Sequence, residues 1–139
     1  MIEQLILARL AQDDGLTELL GLTEDGESRI TPLYTTLETR AITVTVVPSS
    51  NDGVLSRSQL QLRIIEADAE VLAQISSRVI KLLVMEEQQP PITYTHDSMS
   101  GVVVLYRCTQ NGGGQLADDS ANIHQPLYFD LIWRYKENA

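Results

Sequence analysis

The chain has 139 residues, 43% of them hydrophobic, and its 19 acidic and 10 basic residues give a formal charge of −9. That length suits one domain over residues 1–139, able to bury about 70% of the surface its unfolded form exposes. The lone cysteine, Cys108, excludes an intramolecular disulfide. No apolar stretch approaches the ~20 residues that span a bilayer, and the acidic balance disfavours gripping nucleic acid, because each phosphate contact needs a Lys or Arg.

The first residues, MIEQLILARL, place Glu3 early and Arg9 inside the apolar run, so no signal peptide is expected. Ile2, Leu5, Ile6 and Leu10 share one face of a predicted helix over 2–12. Asp13-Asp14-Gly15 ends it, and either aspartate can cap a short second turn, LTELL, which Gly21 closes. TEDGES (23–28) reads as a loop. The period then changes to two. In AITVTVV (41–47), Ile42, Val44 and Val46 oppose Thr43 and Thr45, and almost every residue is β-branched. PSSNDGVLS (48–56) reads as a turn-rich connector. In RSQLQLRII (57–65), Leu60, Leu62 and Ile64 alternate with Gln59, Gln61 and Arg63, so one side of this strand is wet.

Residues 67–84 carry the strongest helical signal, with Val71, Leu72, Ile75, Val79, Leu82 and Leu83 as the stripe. Asp68 suits the N-cap, Glu70 the first turn, and Arg78 and Lys81 the far end. Pro90-Pro91 bars continuation. Strands are expected at 92–96 and 101–108. A long polar loop over 109–125 follows, with NGGG as a hinge. The final strand, LYFDLIWRY (127–135), places Leu127, Phe129, Leu131, Trp133 and Tyr135 on one face, and Tyr128, Asp130, Ile132 and Arg134 on the other. This order predicts an α+β fold: a single twisted, mostly antiparallel β-sheet with helices packed on one face.

Catalytic and metal signals are weak. NGGG (111–114) is followed by Gln115, Leu116 and two aspartates rather than the Lys and Ser or Thr of a phosphate loop. Asp118, Asp119, Asn122 and His124 lack the glycine and closing glutamate of a calcium loop. The two histidines, His96 and His124, fit no zinc pattern. Cys108 with a histidine and Asp97 is a conceivable nucleophile, but a buried cysteine at a strand end is ordinarily a small hydrophobe. Neither an enzyme nor a cofactor is therefore expected. Loops beyond about 12–15 residues are commonly functional or disordered. The 109–125 loop, with Asn111, Gly112, Gly113, Gly114, Gln115, Asp118 and Asp119, is accordingly expected to dock on a neighbour and to be mobile in the free subunit.

The opening helix with LTELLG (16–21), RITP (29–32), the strand–helix pair at 57–83 and FDLIWRY (129–135) give the sequence a family likeness. In that order, they resemble the tail-completion, or tail-terminator, proteins of long-tailed bacteriophages and prophages. TEDGES lengthens one segment relative to that pattern, and the 109–125 loop is longer and richer in glycine. The resemblance implies a virion protein, assembled in the host cytoplasm and forming a ring, commonly hexameric, from subunits that can be monomeric when free. Such a ring caps the head-proximal end of the tail tube, ends its elongation and joins the head. Its implied partners are further copies of itself, the tail tube protein and a head–tail connector or neck protein, with Ser49, Ser50, Asn51, Asp52 and Gly53, and the 109–125 loop, as the implied docking elements. DNA passes through the lumen without specific binding, and no membrane is involved. The alternatives are another neck or head-completion protein and, in a different class, a small ligand-binding regulatory α+β dimer.

Overall fold

The computed structural model describes residues 1–32, 40–114, 116–117 (backbone only) and 122–137. The described elements follow in the order α1 (Ile2–Ala11), α2 (Asp14–Leu20), β1 (Ile30–Pro32), β2 (Ala41–Asn51), β3 (Ser56–Glu66), α3 (Ala69–Leu83), β4 (Ile92–Tyr94), β5 (Gly101–Gly113), β6 (Leu116–Ala117) and β7 (Ile123–Glu137). The strands form one sheet in the order β1-β2-β3-β7-β5-β4, with β6 paired to the start of β7. Among the described strands, only β1 runs parallel to its neighbour; every other pairing there is antiparallel. The fold is α+β, as the periodicity predicts.

The alternating strand pattern divides the sheet into two unlike faces. Val44, Leu62 and Leu127 lie in one cross-strand row, and Val46, Leu60 and Phe129 in the next. On β5, Val103, Leu105 and Cys108 point the same way. The helices cover this face with Ile2, Leu5, Ile6 and Leu10 of α1, Leu16 and Leu20 of α2, and Leu72, Ile75, Val79 and Leu83 of α3. Phe129, the chain's one phenylalanine, lies in this core and is fully buried.

Polar ties set the angles between the layers. Asp13 is the N-cap of α2, accepting from the Leu16 N–H at 2.8 Å. It also takes a two-pronged contact from Arg78 of α3, Nε at 2.7 Å and Nη2 at 2.6 Å. One carboxylate thereby satisfies a helix end and joins two helices. Glu66, buried at the end of β3, pairs with Arg40 and accepts from the Asp68 N–H at 3.2 Å. Arg40 also donates to the Leu19 carbonyl at 3.3 Å. Asp68 caps α3, accepting from the Glu70 and Val71 N–H groups. Elsewhere, Ser76 bonds Gln125 at 2.9 Å, and the Trp133 indole donates to Ser58 at 3.1 Å.

Two expectations are corrected. PSSNDGVLS is not a connector throughout: β2 continues to Asn51 and β3 begins at Ser56, leaving only a hairpin tip. The expected loop at 109–125 is mostly strand among its described residues, because β5 runs to Gly113 and β7 starts at Ile123. Polar residues with weak strand propensity are held extended there by ladder partners on β7, a tertiary effect that overrides local preference.

Hydrogen bonding from Arg78 is the chief influence holding the Asp13 carboxyl down to about 2, below its ordinary 3.8. Its contribution is therefore present above about pH 4 and is lost as pH falls toward 2. Replacing Asp13 with alanine is expected to cost roughly 1–2 kcal/mol through the lost cap. In urea titrations, the difference between wild type and variant should shrink between pH 5 and pH 2.5 (about those values) as the wild-type carboxyl protonates.

Candidate assembly surface

The first expected docking stretch is the hydrogen-bonded end of the β2–β3 hairpin. A register shift between Pro48 and Ser50 marks a bulge, after which Ser50 faces Arg57 and Asn51 faces Ser56. Asp52 accepts from the Val54 N–H at 2.9 Å and the Leu55 N–H at 2.7 Å. Those two backbone donors hold its carboxyl below the usual carboxylate range. Asn51 accepts from the Gly53 N–H at 2.7 Å and donates to Ser56 at 3.0 Å. Gly53 has φ +90°, a conformation that glycine adopts without the steric penalty of a Cβ. The side chains of Asn51 and Asp52 thus take up the tip's backbone donors, and Val54 is left exposed.

The glycines of the second stretch form a bulge rather than the expected hinge. The β5–β7 register slips between Gln110 and Gly113, where Gly112 has φ +97°. Gly113 lies so close to β7 that a Cβ there would meet the Pro126 carbonyl oxygen at 2.9 Å. Asn111 donates to Asp130 at 3.0 Å, and the Gly114 N–H donates to the Pro126 carbonyl at 3.1 Å. Gln115, Asp118 and Asp119 lie outside the described residues. The structure does not bring the two stretches together. The hairpin end aligns with Trp133 and the glycines with Leu127, six residues or about 20 Å apart along β7.

The histidines and the thiol are not gathered either. Cys108 is buried among the core residues, and that burial pushes its thiol up to about 12. His124 lies on the opposite face of the sheet, in a row seven residues or about 23 Å away along β7. His96 is exposed in the turn after β4 and contacts Ser98 at 2.9 Å. Among the described residues, no group of three or more His, Cys, Asp or Glu is placed to hold a metal. No helix among them is long and apolar enough to cross a membrane.

What sequence reading misses is the uneven charge. The uncovered face of the sheet carries Arg57 and Arg63 of β3, Arg107 of β5, and Arg134 and Lys136 of β7. These are five of the chain's ten basic residues, against one acid among the described residues of that face, Asp130. None of the five is in an ion pair among the described residues, and the buried Nε of Arg134 has no acceptor there. Arg57, Ile132 and Arg107 form one cross-strand row, with the two arginine backbones about 10 Å apart. The row lines a depression of about 300 Å³. The alternation at Arg63 and Arg134 was visible in the sequence. The placement of Arg107 was not, because a slip between Leu105 and Arg107 changes which residues face out.

No protein-family model and no curated protein matches the chain. A chain in the virion of the native gene transfer agent (GTA) particle shares its architecture, with a TM-score of 0.57. The match covers 96% of this chain and 92% of that one, at 13% identity. At that identity the likeness is one of fold.

The bulge gives a paired test. Gly113→Ala places a methyl against backbone and is expected to destabilise by about 1–3 kcal/mol. Gly114→Ala meets nothing within 4 Å and should leave the denaturation midpoint close to wild type. Equal midpoints for both variants would mean that Gly113 is not confined against β7.

Proposed function

We propose that this protein is a structural component of a phage-like virion and works through assembly rather than catalysis. The supporting observation is the end-to-end fold likeness to a chain of the gene transfer agent virion, which extends over nearly the full length of both. The opening helices, β1, the β3–α3 pair and the closing strand also match, in order, the segments that resemble tail-terminator proteins.

Within that reading, the finer role is to cap the head-proximal end of the tail tube. A ring of copies ends tube elongation and presents the surface that joins the head, while DNA passes through its lumen. The protein then resides at the head–tail junction, with the tail tube protein below and a connector or neck protein above. A closed ring needs two different patches on each subunit. The helix-covered side and the arginine-bearing sheet face are two such unlike surfaces.

Electron microscopy of lysates from cells producing the particle without this protein tests the proposal. Overlong tails without attached heads are expected, and normal particles would overturn it. Tails of normal length that lack heads would assign the protein to the neck instead.

A further inference from the structure

The open sheet face and the turn after α2 have opposite and complementary chemistry. On the sheet, Ile132 lies between Arg57 and Arg107, with Arg134 two residues farther along β7. Arg57 and Arg107 are exposed, and their guanidinium groups have no ionic partner among the described residues. After α2, residues 22–28 form a closed, exposed turn. The Thr23 N–H donates to the Glu27 carbonyl at 2.9 Å, and the Gly26 N–H to the Thr23 carbonyl at 2.9 Å. The Glu27 N–H donates to Thr23 Oγ1 at 3.0 Å, and Leu22 bridges to Ser28. This turn presents Glu24, Asp25 and Glu27 beside Leu22, which is 65% exposed.

We infer that the acidic 22–28 turn of one copy docks on the Arg57–Ile132–Arg107 row of the next. The occupant is a second copy because the chain supplies both halves: carboxylates beside an exposed leucine, and guanidinium groups flanking an isoleucine. Arginine and aliphatic groups together are typical of protein interfaces, and guanidinium pairs carboxylate in a fork geometry. The two halves are different patches of one subunit, so the contact is head-to-tail and can close into a ring or continue as a filament. Nucleic acid fits the face less well, since the remainder of each subunit is strongly acidic and repels phosphate at long range. The inference deepens the ring in the proposed function. The two fail separately, because lysate microscopy reads the place in the particle and the following experiment reads the contact.

Two exposed sets of substitutions test it: R57E/R107E on the sheet, and E24K/D25K/E27K on the turn. Sedimentation equilibrium of the full chain should show concentration-dependent association at low salt. That association should weaken roughly tenfold or more between about 0.05 M and about 0.5 M salt. Each variant alone should remain monomeric. Mixing the two should restore association, because the wild-type turn of the first meets the wild-type sheet of the second, and the lysine-bearing turn of the second meets the glutamate-bearing sheet of the first. A wild type that stays monomeric at every concentration would overturn the inference, as would association indifferent to either variant or a mixture that stays monomeric. Saturable binding of a short labelled DNA duplex, lost in R57E/R107E, would overturn it too by assigning the face to nucleic acid.

Discussion

Everything in this molecule follows from covering one face of a sheet and leaving the other uncovered. Phe129 lies at the centre of the covered face, in a row with Leu60 and Val46, beneath apolar side chains from three helices. Burying that face is the chief source of stability, because apolar area removed from water is worth about 25 cal/mol per Å². Positions on β7 alternate in side, so each core residue places a neighbour outward. Burying Leu127, Phe129 and Leu131 therefore obliges Tyr128, Asp130 and Ile132 to form the other surface. The same holds on β3, where the outward positions are Arg57, Gln59, Gln61 and Arg63.

The polar ties make sense on this frame. Asp13 and Glu66 stand where helices meet one another or the end of β3, and each serves more than one partner. A partly buried carboxylate with a guanidinium and a backbone donor has the charge and hydrogen-bond partners that burial demands. Cys108 belongs to the apolar side of the same division. Its burial makes it part of the packing and keeps the thiol protonated.

Two polar, glycine-containing stretches are closed by their own contacts rather than left loose. The Asp52 hairpin tip closes on its own side chains, and the glycine bulge at 112–113 is pressed against β7. Pre-formed surfaces lose less entropy on association than segments that must order. The charge is also partitioned: half of the basic residues of an acidic chain share one sheet face. A net charge of −9 describes solubility and long-range repulsion, whereas local recognition depends on that separation.

The periodicity and residue types of the sequence by themselves determined the α+β class, the three helices, the cap at Asp68 and the core stripe through Phe129, and they narrowed the α2 cap to Asp13 or Asp14, of which the structure uses Asp13. These depend on neighbours within a few residues, and a 3.6- or 2-residue repeat records them directly. Strand ends were less legible. Residues 48–51 and 109–113 read as loop because their polar side chains and glycines have little strand preference. They are extended because a partner strand supplies their hydrogen bonds. The Arg57–Ile132–Arg107 row was not legible at all. It requires β3, β7 and β5 to lie side by side, and a slip before Arg107 to turn that side chain outward. Sheet register and bulges are set by pairing between distant segments, so only the tertiary structure decided which charges meet on one surface.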